Sequence, residues 1–159
     1  MAGIAAAVLA ADQVTKALVL AARPPGGTGW LAIRLVRNSG ASGGLASGYP
    51  VLVTLAAIAI TGLAAAVMLR VRGRATALIL AAVVGGALGN LADRVFRAPG
   101  LGRGPVVDWI HLAGRGGSFN VADLAIQLGA LGALAAMIAT REKAKGQAGS
   151  HAPAQDEAS

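Results

Sequence analysis

The chain has 159 residues, 55% of them hydrophobic and 13% charged; soluble domains carry roughly one quarter charged residues, so an ordinary water-soluble globule is excluded and the composition points to lipid. Its formal net charge of +7 is spread over connecting segments rather than along one stripe, which makes anionic lipid headgroups the implied partners and argues against nucleic acid. No cysteine is present, which removes disulfides, thiolate metal sites and a cysteine nucleophile.

Four windows meet the length of about 20 mainly apolar residues that a bilayer span needs: 1–22, 50–69, 75–91 and 121–140. They predict a mainly α membrane protein with a single four-helix domain over residues 1–145. From Gly146 the chain is small and polar, and a disordered cytoplasmic tail is expected over 146–159.

The first window carries Asp12 and Lys16 in its middle and lacks a basic lead, so it reads as a retained span rather than a cleavable signal peptide. In DQVTK the two charges are four residues apart, on one helix face, with the acid N-terminal to the base as pairing prefers. Two readings stand side by side: a structural ion pair facing other helices, or a support for a polar site. ARPPGGTG then makes a turn, and WLAIRLVR places Leu31, Ile33 and Leu35 on one face of a short amphipathic strand. A glycine-rich hairpin, NSGASGG, follows.

RVRGR, between the second and third windows, and REKAK, after the fourth, are basic clusters of the kind retained in the cytoplasm. Both termini are therefore expected inside, with the loops 23–49 and 93–120 outside, although those loops hold arginines of their own. At the end of the third span, GGALGNLADRV repeats Gly86, Asn90 and Arg94 every four residues on one face. Small residues there admit a neighbouring helix, Asn90 can hydrogen-bond across the contact, and Arg94 is expected to snorkel to the interface. Residues 97–105 are rich in glycine and proline. VVDWIHL beyond them reads as a short interfacial helix or strand, with Trp109 at headgroup depth. In FNVAD, Asn120 suits a helix N-cap and Asp123 complements the helix dipole in the first turn.

Four aspartates, at 12, 93, 108 and 123, lie within or beside the spans, where an ionisable group costs about 2.5 to 3.5 kcal/mol on insertion scales. Asp108 sits just upstream of Asp123, and its loop can fold back onto the same membrane edge. Two carboxylates brought together in a partly dry site cannot comfortably both ionise, so they share a proton. This is the arrangement of aspartic proteases: one carboxylate takes a proton from attacking water, and the protonated partner stabilises the oxyanion and helps the amine leave. No metal or cofactor is required. Competing readings are a small proton-coupled transporter using Asp12 and Lys16 as a relay, and a serine protease pairing Ser39 or Ser42 with Lys16. The first would want its acid near the midplane and matching halves, and the second lacks an oxyanion motif. His111 and His151 do not make a metal set.

Taken in order, DQVTK, RNSGASGG, GGALGNLADRV, VVDWI and FNVAD resemble the lipoprotein signal peptidases, or signal peptidase II, bacterial membrane aspartyl proteases. The likeness runs from about Asp12 to Asp123, with GNLADR and FNVAD its most specific parts. It implies an endopeptidase that removes the signal peptide from a prolipoprotein just before its diacylglyceryl-modified cysteine, at the outer face of the bacterial cytoplasmic membrane. The implied catalytic pair is Asp108 and Asp123, supported by Asp12, Lys16, Asn38, Asn90, Arg94 and Asn120. The implied fold has four transmembrane helices, an extracytoplasmic β-cradle from the first loop and a short interfacial helix in the second, with membrane lipids as surroundings and a monomer as the working unit. The chain departs from the family pattern in having Gly43 and Gly44 where an aromatic residue is usual after NxGA, Trp109 in place of phenylalanine, and no basic N-terminal lead.

Overall fold

The computed structural model describes residues 1–41, 44–114 and 117–150, with side chains to residue 139. Ser42, Gly43, Arg115 and His151 lie outside the described residues. The first helix, α1, spans Ala2–Ala22, and the second, α2, spans Pro50–Arg70 with its proline in the first turn, where the missing N–H has no helical acceptor to lose. After a three-residue break, α3 runs over Arg74–Phe96, and α4 begins at Val121 and continues to Ser150. Helices of this length rise about 30 Å, the thickness of a bilayer's hydrocarbon core. All four are long and apolar enough to cross a membrane.

The third span is longer than its apolar window, because Asn90, Asp93 and Arg94 find partners inside the protein and the helix continues through them to Phe96. The fourth helix likewise passes Gly146, where the tail was expected to begin, so 146–150 are helical. The rest of the expected tail, 151–159, lies outside the described residues.

Helix α3 is the hub, packing against α1, α2 and α4, whereas α2 leans chiefly on α3. Glycines make two of these approaches possible. A Cβ on Gly86 would lie 2.6 Å from the Ala122 carbonyl oxygen of α4, and one on Gly89 would lie 2.5 Å from Asp12 Oδ2 of α1. The molecule is inverted relative to a soluble protein. Large apolar side chains such as Leu18, Leu63 and Leu69 face outward, while the largest fully buried side chains are Lys16, Val107, Asn120, Asp12, Asp93 and Asp108. In a solvent of hydrocarbon, polar groups gain by turning inward, where partners are found.

The connections α1–α2 and α3–α4 meet at one end of the bundle and form a three-stranded antiparallel sheet in the order β1 (Leu31–Asn38), β2 (Val106–Leu112), β3 (Ser118–Phe119). VVDWIHL is thus a strand, and among the described residues the second loop holds no interfacial helix. Its β-branched residues and its pairing with β1 favour the extended form.

The alternation expected in β1 is interrupted. Ile33 pairs with Ile110 and Val36 with Asp108, so Arg34 and Leu35 together oppose Trp109 in a β-bulge. Directly paired residues share a face, and alternate residues of a strand share a face. Val36 and Asn38, rather than Leu35, therefore continue the face that carries Ile33 and meet Asp108 there. Without the extra residue, Arg37 would take the diagonal position beside Asp108 that Asn38 occupies.

Substituting Gly86→Val should force α3 and α4 apart and lower stability by about 1 to 3 kcal/mol, the usual cost of overpacking. Gly62→Ala, where an added Cβ meets nothing within 4 Å, should be neutral or mildly stabilising. Thermal unfolding in detergent measures both, and equal melting temperatures for the two variants would contradict the close α3–α4 approach.

Candidate active site

The site is built outward from a buried charge cluster. The Lys16 ammonium lies 2.8 Å from Asp12 Oδ2 on its own helix and 2.9 Å from Asp93 Oδ2 on α3, all three side chains being essentially inaccessible. Asp93 Oδ1 in turn holds Arg97 Nε at 2.6 Å. Two carboxylates and two cations balance, which an apolar interior demands. Each remaining acceptor is used to fasten another element. Asp12 Oδ1 accepts the Ala122 amide at the start of α4 (3.0 Å), and Asp93 Oδ2 accepts the Val107 amide of β2 (3.0 Å). Gln13 donates to Asp12, to the Gly89 carbonyl and to Asp93.

From this cluster a chain of amides leads to the two sequence-predicted carboxylates. Asn90 Oδ1 accepts from Lys16 Nζ (3.1 Å) and from Asn120 Nδ2 (3.2 Å), which turns Asn90 Nδ2 toward Asp123 Oδ1 (2.8 Å). Asn120 and Asp123 form a reciprocal cap at the start of α4: the Asp123 amide donates to Asn120 Oδ1 (2.8 Å), and the Asn120 amide donates to Asp123 Oδ2 (3.3 Å). Asn120 Nδ2 also reaches Asp108 Oδ1 at 2.7 Å. On the opposite side, Asn38 Nδ2 donates to Asp108 Oδ2 (3.1 Å), while its Oδ1 accepts from the Gly40 amide and so closes an Asx turn.

Asp108 and Asp123 therefore border one cavity, bridged through Asn120. Asp108 is buried and Asp123 half-buried. Burial pushes the Asp108 carboxyl up from its ordinary 3.8 to about 6; the neighbouring Asp123 charge adds to the rise, and the amide donors of Asn38 and Asn120 oppose it. The cavity, about 430 Å³, extends down between α2, α3 and α4 past Leu52, Val53, Ile60, Val83 and Ile126. It offers an apolar groove in the spans that ends at two carboxylates.

All eight sequence-predicted residues gather here. Arg94 does not snorkel: it is buried and donates to the carbonyls of Ser39 and Gly40, holding the turn that presents Asn38. Among the described residues, Lys16 is engaged by Asp12, Asp93 and Asn90 and makes no contact with Ser39. Asp93 and Gln13 were missed as site residues. Their signals were present, since Asp93 stands four residues before Arg97 and Gln13 follows Asp12.

Residues 4–139 match the family model described as signal peptidase (SPase) II. The lipoprotein signal peptidase of Rhodococcus jostii (strain RHA1) is 44% identical over 133 residues, covering 80% of this chain and 67% of that protein. That of Mycobacterium avium (strain 104) is 42% identical over 136 residues, covering 80% and 72%. The chain belongs to the signal peptidase II family. It is accordingly a multi-pass membrane endopeptidase of the aspartic type. A bacterial membrane enzyme solved at 2.3 Å resolution by the in meso method superposes with a TM-score of 0.72, 25% identity and 88% coverage of each chain.

Replacing Lys16 by methionine would leave Asp12 and Asp93 with excess buried negative charge. Loss of about 3 to 5 kcal/mol is expected for breaking such a cluster from one side. Adding Asp12→Asn should restore part of it, a coupling that denaturant unfolding in detergent can measure; additive losses would show that the charges are independent.

Proposed function

We propose that Asp108 and Asp123 are the catalytic dyad with which this peptidase cleaves lipid-modified prolipoproteins. The observation that carries the reading is the convergence of both carboxylates, through Asn90 and Asn120, at the polar end of an apolar groove between the spans. The hydrophobic signal segment lies in that groove, and the scissile amide comes to rest at the carboxylates. One carboxylate accepts a proton from water as the oxygen attacks the carbonyl carbon. The other, protonated, donates a hydrogen bond to the developing oxyanion, and protonation of the amine nitrogen then releases the signal peptide.

The elevated Asp108 value supports a proton shared by the pair in mildly acidic to neutral conditions. Asn38, Asn90 and Asn120 fix the carboxylates' orientation, so little reorganisation accompanies the reaction. The site faces the outside, with both termini in the cytoplasm. Supporting this orientation, the tight turn flanked by Arg70, Arg72 and Arg74 lies at the end opposite the sheet, and short basic loops are retained inside.

Asp108→Asn and Asp123→Asn should each abolish cleavage of a lipidated preprolipoprotein peptide by the reconstituted protein, while leaving it folded in detergent. Turnover by either variant at more than a trace of the parent rate would sink the dyad.

A second measurement tests the electrostatics. The Asn38 amide favours the ionised form of Asp108, so removing it raises that group's pKa. In Asn38→Ala the alkaline limb of the pH–rate profile should move to higher pH, with a lower maximal rate. A limb that stays in place would mean Asp108 does not set it.

A further inference from the structure

A second cavity, about 440 Å³, opens on the sheet and meets the apolar groove at Asn38, Asp108 and Ser118, which line both. Its chemistry is the reverse of the groove's. Arg34, Arg37 and His111 line it, and among the described residues its sole acidic group is Asp108, already committed to the dyad. Both arginines are exposed and, among the described residues, neither has a carboxylate partner. The His111 ring is engaged by Ser118 at 3.3 Å.

We infer that this basic groove is a subsite for the polypeptide immediately downstream of the scissile bond, and that it selects acidic side chains there. The inference rests on the dyad assignment proposed above. A substrate whose apolar part fills the groove between α2, α3 and α4 passes Asp108 and must leave the site along the sheet, outside the spans. The polar cavity begins at that carboxylate, so it receives the first residues of the product chain. Two unpaired guanidinium groups beside that path attract carboxylates, and a lysine there meets like charge.

The test is a competition, in neutral detergent, between two lipidated preprolipoprotein peptides that differ only in the residues following the modified cysteine, aspartate-rich in one and lysine-rich in the other. The ratio of their kcat/KM values is read from one reaction and is independent of the fraction of enzyme that is folded. The wild-type protein should prefer the acidic peptide by about three- to tenfold at low ionic strength, as expected for exposed charge pairs, and the preference should shrink with salt. The double variant Arg34→Glu, Arg37→Glu should prefer the lysine peptide. A wild-type ratio near one overturns the inference while leaving the dyad intact. A ratio that the double variant leaves unchanged, with both rates reduced equally, overturns it too. Failure of the wild-type protein to cleave either peptide would count against the dyad itself, and the subsite would fall with it.

Discussion

The contact on which this architecture depends is the Lys16 ammonium held between Asp12 and Asp93 in the interior of the bundle. Burying an ion is costly, and mutual attraction offsets the cost only where geometry is good and the remaining lone pairs are used. Here they are used to join elements distant in sequence. Asp12 caps the start of α4, and Asp93 receives the backbone of β2. Through one cluster, α1, α3, α4 and the sheet are brought into register. The hydrophobic effect does little to set such a register in lipid, where helix faces and surroundings are equally apolar, and packing and polar contacts decide it. Close approach at Gly86 and Gly89 is the complementary condition, since a side chain at either would separate the groups that must meet.

A different device places Asp108. It belongs to a strand rather than a helix, and its neighbour is chosen by one extra residue in β1. The bulge brings a neutral amide, Asn38, to a position where regular pairing would have put Arg37. The consequence is electrostatic as much as steric: an amide donor stabilises a carboxylate modestly, whereas a guanidinium would hold it ionised.

Much of this was legible in the chain. The spans follow from apolar run length, the Asp12–Lys16 pair from its spacing, and the Asn120–Asp123 cap from its offset, because each is a local property of one helix. The family resemblance brought Asn38, Asn90 and Arg94 into the site as well. What could not be read depends on other elements. The bulge in β1 exists only relative to β2, so a two-residue alternation misassigned Leu35. VVDWIHL suits a helix or a strand at seven residues, and the pairing partner decides. Arg94 was expected at the interface because a lone helix offers it nothing better, yet the folded turn presents the Ser39 and Gly40 carbonyls. Asp93 joins the site through Lys16 of α1 and the Val107 amide of β2, neither of which its own helix reveals.

The distribution of charge around the proposed dyad has a chemical logic. Two carboxylates share a proton only if neither is neutralised by a cation in contact, for an adjacent ammonium or guanidinium would leave both ionised and deprive the site of its acid. The two buried cations nearest the dyad are directed elsewhere. Lys16 bonds Asp12 and Asp93 and touches the site only through Asn90, while Arg94 spends its donors on backbone carbonyls. Among the described residues, every side-chain donor placed on Asp108 or Asp123 is an asparagine amide. The fold thus uses full charges to assemble the bundle and neutral amides to orient the two carboxylates. Burial and the Asp123 charge outweigh the opposing Asn38 and Asn120 amides and the more distant Lys16, and the Asp108 carboxyl rises to about 6.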